Sequence, residues 1–290
     1  MKASSATTAE LDLRVDINCL LKEWKLAFGI PYSDLALRSA DRIQIRILGK
    51  FEEFNSCDIL DPESALDINL DFLAIAYKPN KWTLLHRFTE NYLIEEFYYE
   101  YRKAGEYFAP FAISILEHYN IPFTRHKNNT REVDGYLLKK LNNVTSKIAH
   151  EIFCILFQQR TLMAEFSSLV AQYLQNIPRE QFTDYFSELG HLKRSASWPT
   201  WLQQALIFRE NGCCALCDSD ITGKLGNPKK INIDHIIPIS KNGTSDPTNL
   251  QLLCNDCNQK KGNRNNDVGS RIYIPWELDK SIPPPPRAPR

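Results

Sequence analysis

Cys214 and Cys217 form one C-x-x-C, and Cys254 and Cys257 form a second, in a chain of 290 residues. Four thiolates at these spacings make the donor set of a closed tetrahedral zinc site, each pair wrapping one side of a single Zn²⁺. Four protein donors leave no position for water, so the spacing predicts a structural zinc, not a catalytic one. Cys213 would make a C-x-x-x-C with Cys217 and reads as a bystander. Five of the eight cysteines lie between 213 and 257, which is metal-site spacing and not a disulfide framework. Cys19, Cys57 and Cys154 stand singly and read as small buried hydrophobes.

The clip pins 36 residues at both ends, and they hold one Asp-His pair, Asp234-His235. In KKINIDHIIPIS, Ile231 and Ile233 alternate with Asn232 and Asp234, a strand pattern. KNGTSDPTN is a turn-rich loop around Asn242-Gly243, and LQLL reads as a second short strand. CNDCNQKKG then reads as a helix of one or two turns stopped by Gly262. The order is strand, loop, strand, helix, with thiolates before it and on its last helix.

These residues resemble an HNH endonuclease, the ββα-metal fold in its four-cysteine, zinc-stapled form. The resemblance is carried by Cys214-x-x-Cys217, Asp234-His235 with Pro238 three later, Asn249 five before Cys254, and Asn258 directly after Cys257. IFRENGCCALC and NQKKGNR are similar to the family as well, and the match covers about residues 198–266. It implies His235 as general base, a role that an ordinary pKa near 6.5 suits. It implies that Asp234, on the opposite strand face, reaches a metal behind the phosphate, and that Asn249 bridges the loop and holds the histidine. Asn258 takes the last letter of the motif, giving His-Asn-Asn. Asp234 and Asn258 offer only oxygen, which favours Mg²⁺ or Mn²⁺ over Zn²⁺ at this second site. Lys229, Lys230, Lys241, Lys260, Lys261 and Arg264 flank the same elements as candidate phosphate contacts, although a solvated surface explains any one of them. Singly, a strand histidine or a turn asparagine is usually structural. Their joint spacing inside the clip is what points to catalysis.

These residues need a scaffold, and most of the chain reads as helical. Only five glycines occur in the first 195 residues, which suits packed helices. Leu13, Ile17, Leu20, Leu21 and Trp24 recur at helical spacing up to Gly29-Ile30-Pro31. Further helices are expected over about 62–77, through the long stretch from Trp82 to Asn120 with a break near Gly105 or Pro110, over 132–157 and 158–176, and shortly after Pro178. The aromatic run from Tyr92 to Phe111 reads as a helix–helix core with hydroxyls at its edge, more than as a base-stacking surface. HEIFC at 150–154 begins like a zincin helix but lacks the second histidine.

The fold class expected is therefore mostly α: a helical regulatory or targeting domain over 1–195, a zinc-stapled ββα-metal domain over 196–270, and a proline-rich tail over 271–290. KRSASWPTW reads as the linker, with Pro199 opening a helix through Phe208 and Gly212 stopping it. Net charge is zero overall, but residues after 195 carry 12 basic against 9 acidic side chains, and those before carry 23 against 26. The mild excess fits a nucleic-acid contact at the C-terminal end without demanding one. No run has the length of a signal sequence core or a membrane span, so a cytoplasmic protein with no membrane partner is expected. DNA is the expected substrate, with a protein partner possible through the helical half. That half joined to a stand-alone HNH domain is similar in architecture to anti-phage effectors such as that of the type II Zorya systems. The alternative is a zinc-stapled nucleic-acid or protein adaptor whose catalytic residues are vestigial.

Overall fold

The computed structural model describes residues 34–48, 65–66, 69–126, 130–195, 197–223 and 231–263. The helix expected over 13–24 and the proline-rich tail lie outside these. Among the described residues are nine α-helices and one two-stranded sheet. The helices are α1 (Asp34–Ile47), α2 (Leu70–Tyr77), α3 (Leu84–Lys103), α4 (Phe108–His118), α5 (Arg131–Leu141), α6 (Thr145–Leu156), α7 (Arg160–Gln175), α8 (Thr200–Arg209) and α9 (Asn255–Lys261). The strands β1 (Ile231–His235) and β2 (Leu250–Cys254) pair antiparallel, with Asp234 opposite Gln251 and His235 opposite Leu250. The mostly helical fold with a small ββα end is thus the one the composition and spacing predict.

The centre is α3, which packs on α6 and α5, while α1 packs on α6 and α7. Its N-terminus is fixed by a capping box: the Thr83 hydroxyl accepts from His86 N–H, and His86 Nδ1 accepts from Thr83 N–H at 3.0 Å. Because Nδ1 accepts, the proton sits on Nε2, which donates to His150 Nδ1 at 3.0 Å. Burial, with the neighbouring His150 adding to it, pushes the His86 pKa down to about 3. Tyr92, Phe97 and Phe108 are fully buried here, while Tyr98 and Tyr107 stay exposed, so the aromatic run is mainly core. The break between α3 and α4 falls at Gly105, whose φ of +54° lies in the left-handed region that a side chain disfavours.

Two segments depart from the sequence expectation. The helix expected over 132–157 is two helices, α5 and α6, divided at Asn142–Val144. The Thr145 hydroxyl donates back to Asn142 O at 3.0 Å, so the turn is closed by its own side chain. The split lets α5 pack on α4 while α6 packs on α3 and α1. The second departure is α1, which lies outside the helices expected. Its buried face uses Leu35, Ala36, Ala40, Ile43 and Ile47 at helical spacing, and Arg38, Arg42 and Arg46 recur every four residues on another face.

The zinc-stapled end does not hang free of the helices. Ala215, Ile236, Ile237, Leu250 and Leu252 belong to the same buried apolar cluster as the helical core. Polar links accompany that packing. Asp246 is fully buried, and its Oδ2 accepts the first N–H of α3, from Leu84, at 2.8 Å. Ser245 N–H donates to the last turn of α2 at Ala76 O, 2.8 Å. Arg160, the first residue of α7, donates to Ala215 O at 2.7 Å and pairs with Glu210 at 3.3 Å. Among the described residues no helix is long and apolar enough to cross a membrane.

Candidate functional site

The four sulfurs of Cys214, Cys217, Cys254 and Cys257 all lie within 4.8 Å of one another. A Zn–S bond of about 2.3 Å puts tetrahedral sulfurs about 3.8 Å apart, and Cys217 and Cys254 stand at 3.8 Å. The set therefore fits Zn²⁺. Backbone N–H groups turn inward to help: Cys254 N–H donates to Cys214 Sγ at 3.3 Å. Asp218, with φ +55°, turns the first knuckle so that Cys214 O accepts from its N–H. Burial pushes the Cys217 thiol up, but hydrogen bonds with Ser219, Cys214 and Cys257 together outweigh it and bring its pKa down to about 6. Burial, with the hydrogen bonds of Cys217 and Cys254, raises Cys257 instead. Four sulfurs this close can all ionise only with a cation among them, which is the condition Zn²⁺ supplies. Cys213 is not part of this group.

From the clip, α8 delivers the chain through an Arg209–Glu210 pair, both buried. Arg209 Nη2 donates to Glu210 Oε1 at 2.6 Å and to Leu250 O at 2.5 Å, tying the entrance of the clip to β2. Ala215 N–H reaches Leu252 O at 2.9 Å, so the first knuckle lies against the same strand. β2 is buried along its length, and α9 packs across both strands.

Asn249 clasps the loop between the strands. Its Oδ1 accepts from Ile237 N–H at 2.8 Å, and its Nδ2 donates to Ile237 O at 2.9 Å and Thr244 O at 2.8 Å. Its backbone carbonyl accepts from Ile236 N–H at 2.7 Å. The amide is fully buried and its groups are all engaged inside the loop, directly behind His235. Gly243 is required by that clasp, since a Cβ there would lie 1.8 Å from Ile237 O and 2.9 Å from Asn249 Nδ2.

His235 ends β1 and is 3% exposed. Its Nε2 is buried with no hydrogen-bond partner among the described residues. Burial first, then the charges of Arg194 and Lys261, push its pKa down to about 3. The Trp198 ring lies 5.6 Å from the imidazole, centroid to centroid, and tilted against it. Asp234 projects from the opposite strand face, half-buried, where Lys261 Nζ contacts its Oδ2 at 2.9 Å and Gln251 Nε2 donates to the same oxygen at 3.2 Å. Asn258 is half-buried on α9.

Among the candidate phosphate contacts, Lys241 and Lys260 are exposed, and Lys229, Lys230 and Arg264 lie outside the described residues. Lys261 is inside the domain: it is 2% exposed and also donates to His235 O at 2.8 Å. Spacing carried a signal for it, since Lys261 follows Asn258 by three and Cys257 by four, on the helix face that meets the strands. Gln251, Asp246 and Trp198 carried no comparable signal and emerge only from the folded arrangement.

No curated protein and no solved structure matches the chain. A family model described as HNH endonuclease matches residues 214–264, from the first zinc thiolate to just past α9. The stapled strand–strand–helix unit that holds Asp234, His235 and Asn258 is thus an HNH endonuclease domain carried on a helical body.

Proposed function

We propose that this protein is a metal-dependent DNA endonuclease that nicks one strand per site. The observation that carries the reading is the buried Nε2 of His235, without a partner among the described residues, beside an Asp234 carboxylate that those residues grip on one oxygen, within the segment that matches the HNH model. In this reading His235, once contact with solvent relieves the burial that lowers its basicity, takes a proton from water as that water attacks the phosphorus. The opposite ester oxygen then leaves and is protonated from solvent. Asp234 and Asn258 would hold Mg²⁺ or Mn²⁺, which supplies charge to the phosphate oxygens as the P–O bond breaks. The fit is chemical: both side chains present oxygen, the donor such ions prefer. Asn249 positions His235 through the loop and makes no contact with the reacting atoms. Lys241 and Lys260, and beyond the described residues Lys230 and Arg264, would hold the DNA backbone.

The reading extends to regulation. Phosphate cannot reach a histidine that is 3% exposed, so residues packed around it, among them Trp198 at 5.6 Å, would have to shift before cleavage. We read the helical body over 1–195 as the part that restrains or targets this step, in the manner of an anti-phage effector awaiting a partner. The same low exposure favours the second reading, a stapled adaptor with vestigial catalytic residues. Supercoiled plasmid with Mg²⁺ or Mn²⁺ separates them: the wild type should yield open circles, and His235→Ala and Asn258→Ala should lower the rate at least 100-fold. Cleavage absent under every metal supports the adaptor, and cleavage untouched by Asn258→Ala removes that residue from the metal site.

A further inference from the structure

Lys261 occupies a place that neither a DNA contact nor a solvated surface explains. Its ammonium is buried between two groups of β1, the Asp234 carboxylate at 2.9 Å and the His235 carbonyl at 2.8 Å. An ammonium has three donors, and two of them are spent on the adjacent residues to which the chemistry is assigned. Gln251, directly across the ladder from Asp234, adds a third bond to the same site at 3.2 Å. Both bonds to Asp234 end on Oδ2. The carboxylate is therefore fixed in rotation, with Oδ1 as the oxygen left to a further partner. The bond to His235 O holds the peptide from which the imidazole projects to the other face of the strand.

We propose that Lys261 is a positioning residue of the nuclease site. It makes Asp234 a one-oxygen ligand by occupying Oδ2, and it locks the angle between Asp234 and His235 by binding both. This rests on the nuclease reading and adds to it a device for aligning metal and base. A buried cation beside a ligand also has an electrostatic consequence: it lowers the affinity of the site for a dication while keeping its geometry correct. Loss of the ammonium should then separate two quantities that a merely structural residue would move together. Metal should bind more tightly, because Asp234 gains a free negative oxygen, and cleavage should slow, because carboxylate and imidazole lose their common anchor.

The test uses the full-length, zinc-loaded protein and Mn²⁺ as the probe. Free Mn²⁺ is measured by electron paramagnetic resonance, nicking under single turnover at saturating Mn²⁺, and zinc content and melting temperature report the fold. Lys261→Met, close to lysine in length and uncharged, is expected to bind Mn²⁺ three- to tenfold more tightly and to nick at least tenfold more slowly. Gln251→Met strands no charge; it should leave Mn²⁺ affinity within twofold and slow nicking by a few fold. The proposal is overturned if Lys261→Met binds Mn²⁺ no more tightly than the wild type with zinc retained, or if it nicks at the wild-type rate. Should Lys261→Met lose its zinc, Gln251→Met decides, and a wild-type nicking rate there overturns the proposal. Asp234→Ala serves as the reference: if it leaves Mn²⁺ binding intact, the metal assignment fails, and Lys261 is not the cause.

Discussion

The helical body and the zinc-stapled end solve the same problem with different means. In the body, backbone polar groups are satisfied within long helices, and apolar faces such as Phe72, Phe88, Phe97 and Phe166 fill one core. The stapled end has two five-residue strands and a seven-residue helix, too little regular structure to hold itself. It is held by side chains bonded to backbone (Asn249, Arg209, Lys261) and by the body beneath it, and its four cysteines are placed to clip it around a metal. One region is stable because of its size, the other because of its ties.

The largest effect that would break this comparison is removal of zinc. Binding to four thiolates is worth about 10–16 kcal/mol in small stapled units. Chelation, or Cys254→Ser, should unfold residues 213–263 and abolish nicking while most far-ultraviolet helicity remains. Circular dichroism with limited proteolysis checks this; loss of the whole helical signal would show that the body depends on the clip as well.

Next comes separation of the two regions. Truncation to 196–290 removes the Leu84 N–H that Asp246 accepts, together with Ala76 O and Arg160, and exposes the apolar patch shared with the body. The fragment should fold poorly even with zinc and cut more slowly than the full chain. A fragment that cuts faster would sharpen the comparison in the other direction, making the body a restraint alone.

A smaller effect comes from acid. Burial pushes the Asp246 pKa up to about 6 against the hydrogen bonds of Thr248 and Leu84. A carboxyl raised in the fold above its unfolded value near 3.8 keeps its proton longer folded than unfolded. Its contribution to stability is therefore greatest below pH 4 and falls by about 3 kcal/mol as pH rises to 6. His86, lowered in the body, contributes the opposite slope, losing stability as pH falls below 6.5. Asp246→Asn leaves one N–H facing a donor and should cost about 1–3 kcal/mol at pH 7. The difference in denaturation midpoint between variant and wild type should shrink as pH rises from 4 to 6; a constant difference would remove the titration of Asp246 from the account. Smallest of all, Lys241→Ala and Lys260→Ala should leave the fold unchanged and each lower the salt dependence of DNA binding by about one unit of slope, measured by anisotropy.

How far the sequence could be read follows the same divide. The stapled end was legible because its spacings are rigid chemical demands: C-x-x-C for a metal, alternation for β1, Gly262 after α9. The body was legible in kind but less so in its joints. A continuous helical pattern over 132–157 gives no sign that packing on two different neighbours divides it at Asn142. α1 carries a legible pattern, with Ala36, Ala40, Ile43 and Ile47 on one face and Arg38, Arg42 and Arg46 on another, but small alanines supply half of that apolar row and weaken its signal. Lys261 reads in the sequence as a candidate phosphate contact; its helical spacing from Cys257 and Asn258 points inward, and the fold puts it against Asp234. Asp246 was one polar residue of a turn until α3 supplied the N–H it accepts.

That last bond gives α3 a mechanical meaning. Twenty residues of helix make a rod of about 30 Å, and its first N–H is seated on the loop that Asn249 clasps behind His235. The start of α3 is thus the point at which a tilt of the helix would meet the loop behind His235.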